Sequence, residues 1–208
     1  MNAQHKILTR NKHFRLAAVC ALLSLAAIGL VSCQAPQATF RSLMGSTVQA
    51  REVDDREMGV LPTHATVFDE SLPGISGLSP DLRNALEQAT RAAREEGVEI
   101  FINSGWRSPA LQEQLLTDAV SDYGSLEEAA RWVATPETSA HVSGDAVDIG
   151  DLDAYLWFQE RSSGFGLCQI YANEPWHYEY RPDALSEGCP QPYLDPTHDP
   201  THDPTLQN

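Results

Sequence analysis

Apolar residues recur at helical spacing at Leu82, Ala85, Leu86, Ala89, Ala92 and Ala93, a stripe that predicts a helix opened by Ser79 and Pro80 and closed by Gly97. The run "VEIFIN", Val98 to Asn103, predicts a strand. After the loop "SGWR", Ser108 and Pro109 open a second helix with Leu111, Leu115, Leu116 and Ala119 on one face, ending near Gly124. Ser125 with Glu128 reads as a capping box for a third helix carrying Leu126, Ala129, Ala130, Trp132 and Val133. Further on, "DAVDI" predicts a short strand, "LDAYLWFQE" a helix, and "LCQIY" and "WHYEY" a closing pair of strands. Helices cluster early and strands late, which argues for an α+β fold: a small, mostly antiparallel sheet with helices packed on it.

The ends of the chain lack this pattern. Lys6, Arg10, Lys12 and Arg15, with no acidic residue among them, precede the apolar run "LAAVCALLSLAAIGLV" from Leu16 to Val31. Basic then apolar is the order of an export signal; an uncleaved membrane anchor is the alternative, although the run is short for a span. Directly after it, "LVSC" (Leu30 to Cys33) resembles the bacterial lipobox, which implies lipidation at Cys33 and a place on the extracytoplasmic face of a bacterial envelope. Residues 1–33 are therefore expected to be a signal, 34–71 a partly disordered tether, and 72–194 the folded domain. Residues 195–208 are expected to be a disordered tail, because "DPTHDPTHDPT" repeats a four-residue unit with proline in every copy. Its His198 and His202 could bind a metal weakly, but the composition favours disorder.

A chain of 208 residues suffices for one domain with a real core. Without the four basic residues of 1–33 it holds 10 Lys and Arg against 29 Asp and Glu, a net charge of −19. That balance argues against nucleic acid as a partner and suits a soluble extracytoplasmic surface. Of the four cysteines, Cys20 falls in the signal and Cys33 in the lipobox-like segment. Cys168 and Cys189 remain, and outside the cytoplasm such a pair most simply forms a disulfide. A cysteine metal site would need two more ligands, and no C-x-x-C spacing is present.

Two polar segments carry candidate chemistry. In "TSAHVSGDAVDIGD", Thr138 to Asp151, a turn at Gly144 could bring His141 and Asp148 to one point; "NEPWHYEY", Asn173 to Tyr180, supplies His177 and Glu174. Two histidines and one aspartate leave a tetrahedral position open, as in a catalytic zinc site. Singly, a loop histidine is most often a surface residue and a strand-end aspartate a cap. Asp145 is nearer His141 in sequence, but strand alternation turns it away from the side of Asp148. Glu174 and His177, three apart, cannot both face one metal from an unbroken strand, so Pro175 is expected to leave Glu174 in the approach to the strand.

Taken together, these segments resemble the zinc D-Ala-D-Ala metallopeptidases, particularly the VanY-like D,D-carboxypeptidases. "SAHVSGDAVD" fits S-x-H-x-x-G-x-A-x-D at every fixed position and "EPWH" fits E-x-x-H. "SGWRS", Ser104 to Ser108, is similar to the family's S-G-Y-R-S loop with Trp106 in place of tyrosine. The resemblance, over about residues 72 to 181, implies a hedgehog/D,D-peptidase-like fold with one zinc in the cleft, held by His141, Asp148 and His177, and Glu174 as catalytic base. Arg107 is expected to act on the substrate carboxylate or the developing oxyanion, with Ser139 and Gln112 as further substrate contacts. The implied activity is removal of the terminal D-Ala from peptidoglycan stem peptides by a monomer. A D-Ala-D-Ala dipeptidase or a peptidoglycan endopeptidase are alternatives on the same scaffold. A non-catalytic zinc-containing wall-binding module is an alternative of another class, since the hedgehog signalling domain resembles this fold.

Overall fold

Four short strands organise the chain in a computed structural model, which describes residues 55–202. They are β1 (Ile102–Ser104), β2 (Ala146–Ile149), β3 (Leu167–Gln169) and β4 (His177–Tyr180), all antiparallel in the order β1-β2-β4-β3. Around the sheet run α1 (Pro73–Ser76), α2 (Pro80–Glu95), α3 (Pro109–Tyr123), α4 (Leu126–Ala130), α5 (Ala140–Ser143), α6 (Leu152–Arg161) and α7 (Ala184–Glu187). This is an α+β fold with a small antiparallel sheet. The expected signal, Cys33 and residues 34–54 of the expected tether lie outside the described residues. Among those described, no helix is long and apolar enough to cross a membrane.

Helix α2 forms where the stripe places it. Pro80 sits in its first turn, and Gly97, at φ +80°, lies just past its end. Leu82, Ala85, Leu86, Ala89 and Ala93 are buried against Ile100, Ile102, Val147, Phe158, Leu167 and Tyr178 in one core. Each fully buried leucine there contributes about 2 kcal/mol. Ser108 accepts from the Leu111 amide to cap α3, and Ser125 from the Glu128 amide to cap α4. Asp151 caps α6 through the Ala154 amide. The sheet is apolar on the side where Val147 faces Tyr178 and polar on the side where Asp148 faces His177.

Three expectations shift. The strand expected from Val98 pairs only over Ile102–Ser104, because its neighbour β2 is four residues long and offers no longer ladder. The folded unit does not start at residue 72: Ala65 and Val67 are buried in the core, Ala65 accepts from the Ile102 amide, and Met58 accepts from the Ser108 amide. That segment is irregular, so no hydrophobic period betrays its burial. Nor are residues 195–202 disordered. Asp195 and Asp199 are both buried, and each accepts from the amide and hydroxyl of the threonine two residues on, closing two successive 3₁₀ turns, Pro196–His198 and Pro200–His202.

Cys168 and Cys189 are joined in a disulfide that spans the β3–β4 connection and β4 itself. Closing a loop of this size restricts the unfolded chain by about 3 kcal/mol in the chain-entropy description. Reduction should therefore lower the urea midpoint by the equivalent of about 3 kcal/mol; an unchanged midpoint would show that the bond does not brace this edge.

Candidate metal centre

The strand register assembles the site. Ser104 on β1 lies opposite Asp148 on β2, and Asp148 opposite His177 on β4. Directly paired residues project to one face, so the row presents all three side chains together. His141 arrives from α5, a single turn that ends at Gly144 in the left-handed conformation, φ +82°. A Cβ at Gly144 would lie 2.3 Å from the Gly77 carbonyl oxygen, and the Gly144 carbonyl accepts from the Ser79 amide at 2.8 Å. Only glycine fits that approach and that φ. Asp145, just beyond, is exposed, and β4 begins at His177, with Glu174 in the turn before it.

His141 Nε2 lies 3.4 Å, and His177 Nδ1 3.5 Å, from the same oxygen, Asp148 Oδ1. These three atoms lie within 4.8 Å of one another, and none has a hydrogen-bond partner although all are buried. Buried polar atoms left this way are costly, and two nitrogens and an oxygen converging on one point suit a divalent cation. The opposite atoms of the same groups are engaged. His141 Nδ1 donates to the Gly105 carbonyl at 2.8 Å, His177 Nε2 pairs with Glu179 Oε1 at 3.2 Å, and Asp148 Oδ2 accepts from Arg107 at 2.8 Å. Each outer contact turns one lone pair of its residue inward. Glu174 places Oε2 3.9 Å from His177 Nδ1, while its Oε1 is buried without a partner.

The two imidazoles of the site sit in opposite fields. Burial, followed by the Arg107 charge, lowers His141 to about 4, so its ring is neutral at pH 7. Burial also works against a charged His177, but the Asp148 carboxylate facing Nδ1 and the hydrogen bond to Glu179 outweigh it and raise that ring to about 10. Asp148 stays well below the carboxylate range: burial opposes ionisation, yet His141, His177 and Arg107 overcome it. Glu174 is raised to about 8, first by burial and then by the Asp148 charge, against the pull of His177 and Arg107. Asp148, Glu174 and Glu179 thus place three carboxyl groups around the His177 nitrogens, and a positive charge there, proton or metal, is favoured.

Arg107 is buried with Nε on Ser104, one amine nitrogen on Gln112 Oε1 and the other on Asp148. Gln112 is also buried and donates to the Ala134 carbonyl. Both were expected to meet substrate; in this structure they hold each other and Asp148. Ser139 precedes α5 and lines a pocket of about 480 Å³ with Glu137, Thr138, Arg181 and Thr201. His64 lies outside the site against Phe101. Sequence reasoning missed Glu179 and the Gly105 carbonyl. Glu179 was within reach, being two residues beyond His177 and so on the same strand face. The carbonyl was not, since no residue type marks it; Gly105 itself is required because a Cβ there would lie 2.1 Å from the Gly74 carbonyl oxygen.

A family model described as VanY, D-alanyl-D-alanine carboxypeptidase, matches residues 76–183. A curated D-alanyl-D-alanine carboxypeptidase of Enterococcus faecalis is 33% identical over 128 residues, which cover 50% of this chain and 46% of that protein. The chain therefore spans about half the length of this relative. Among solved structures, VanYB in complex with D-alanine-D-alanine is 28% identical with a TM-score of 0.49, covering 54% of this chain and 78% of that one. The LdcB LD-carboxypeptidase is 25% identical with a TM-score of 0.49, covering 61% and 70%.

Two outcomes follow for the protein kept free of metal by a chelator. Arg107→Met should lose about 3–5 kcal/mol in urea unfolding, because it leaves the Asp148 carboxylate buried without its cation. Glu174 takes up a proton on folding between pH 4.5, its ordinary value, and about 8. The native state holds the proton that the unfolded chain has released, so this group lowers stability as pH rises through that window. Glu174→Gln removes the effect, and its stability relative to the parent should climb from pH 4.5 to 8 and then level off. Parallel curves would contradict the assignment.

Proposed function

The chain belongs to the VanY family of D-alanyl-D-alanine carboxypeptidases, and on that premise we propose that it is a zinc-dependent D,D-carboxypeptidase that hydrolyses the terminal D-Ala-D-Ala bond of peptidoglycan stem peptides. The observation that carries this reading is the convergence of three unpartnered buried donor atoms beside an unpartnered buried carboxylate oxygen of Glu174. His141, Asp148 and His177 are the proposed ligands. The set is that of an open catalytic zinc site, since a closed structural one would take a fourth protein ligand.

Zinc held there would supply Lewis acidity and bring the pKa of water from 15.7 down to about 7. The chain's own residues supply the rest. Glu174 is the proton carrier: it accepts the proton of the attacking water and returns it to the amine of the departing D-Ala. Its position beside His177, with one carboxylate oxygen buried and unpartnered, suits both transfers. Arg107 holds Asp148 in place and keeps a fixed positive charge beside the site, which favours the negative charge that develops on the scissile carbonyl. Gln112 and Ser104 hold Arg107 in turn. Ser139 and its neighbours in the 480 Å³ pocket offer polar contacts to the peptide.

The basic and apolar order of residues 1–33 supports export, and "LVSC" supports a lipid on Cys33. We read the protein as a monomer on the extracytoplasmic face of a bacterial envelope, where stem peptides lie.

The parent should release D-Ala from a muramyl pentapeptide, lose that activity to a chelator and regain it with zinc. Glu174→Ala should keep its zinc and lose roughly 10²–10⁴ of kcat, the range of a general acid–base group. Product analysis on the pentapeptide and on free D-Ala-D-Ala separates this activity from dipeptidase or endopeptidase cleavage. Full turnover by Glu174→Ala would overturn the mechanism.

A further inference from the structure

The repeated Asp-Pro-Thr-His segment has no part in the chemistry above, yet it is tied down at three levels. Tyr193 forms a backbone bridge with Tyr171: its amide donates to the Ile170 carbonyl and its carbonyl accepts from the Ala172 amide, both at 2.8 Å. Asp195, 1% exposed, accepts from Arg131 Nε at 3.0 Å. Asp199, 4% exposed, accepts from the Tyr171 hydroxyl at 3.2 Å. The Tyr171 ring is itself buried, with its centroid 4.9 Å from that of His177. The strap thus reaches the proposed metal ligand through one tyrosine. Beyond Asp199, Thr201 lines the same pocket as Thr138 and Ser139.

We propose that Asp199 and Tyr171 are positioning residues: the strap pins the tyrosine hydroxyl, and the pinned ring fixes the orientation of His177 toward the metal. The inference rests on the reading of His141, Asp148 and His177 as metal ligands. Its logic is steric and polar together. Glu179 holds one edge of the His177 imidazole and Tyr171 packs against the ring. The Tyr171 hydroxyl donates to Asp199 Oδ2 in a buried setting, so a swing of the ring breaks a buried hydrogen bond and takes from that oxygen its tyrosine donor. Within each repeat the aspartate shapes its own turn with one carboxylate oxygen and reaches into the domain with the other.

The test compares Tyr171→Phe, Asp199→Ala and the double variant in the full chain, by two readouts. Zinc affinity, measured against a chromophoric chelator, should fall roughly three- to tenfold in each single variant, below the 10–100-fold typical of groups bonded directly to a ligand. The double variant should fall no further than the worse single one, because both act through one contact. The His177 ring resonance of the metal-free chain, followed by NMR, should shift in all three. A lower melting temperature with affinity within twofold of the parent and an unmoved resonance would reduce the strap to a structural role and overturn the proposal, as would losses that multiply in the double variant. If the parent binds no zinc, the metal reading fails on its own, and the His177 resonance still decides whether the strap positions that ring.

Discussion

One buried carboxylate, that of Asp148, divides its two oxygens between opposite tasks, and the surrounding structure follows from that division. Oδ2 meets the Arg107 guanidinium, while Oδ1 faces the two imidazoles. A carboxylate taken out of water without compensation costs several kcal/mol, so the loop carrying Arg107, the turn carrying His141 and the strand carrying His177 are all drawn to it. Ser104, Asp148 and His177 occupy one row of the sheet, which lets three strands deliver their side chains to the same point without special loops. Only His141 needs a purpose-made turn, and Gly144 provides it.

The sequence carried much of this because regular elements write their periods into it. The α2 stripe and the caps Ser108 and Ser125 appear where the spacing puts them, as does the change from helices to strands. The converging residues were legible through three short motifs in order. Less visible was how the groups divide their bonds. A buried arginine is easily imagined reaching for a substrate, and only the folded structure shows Arg107 already engaged on Ser104, Gln112 and Asp148. The ends of the folded unit were also hidden. Residues 58–67 pack without a period, and residues 195–202 are held by polar bonds to the buried Asp195 and Asp199, with Pro196 the apolar residue buried beside them. Composition registers neither.

The repeat shows why a proline-rich polar segment need not be loose. Proline restricts the chain before any contact forms, and the aspartate before it satisfies the next amide and hydroxyl locally. What remains is a second carboxylate oxygen per unit, and both find partners in the domain, Arg131 and Tyr171. Order here depends on two acceptor sites, where the core depends on some twenty buried side chains.

The seam beneath the site is made of glycine against glycine. Gly105 abuts the Gly74 carbonyl, and Gly144 abuts the Gly77 carbonyl, at separations no side chain could enter. Steric conflicts in protein interiors are ordinarily reversible in evolution, because enlarging one residue can be answered by shrinking its neighbour. Here the neighbour is already the smallest residue and presents only its backbone. Compensation has no move left, so these positions admit drift only if the whole of α1 shifts with them, a limit that the exposed Asp145, one residue beyond Gly144, does not share.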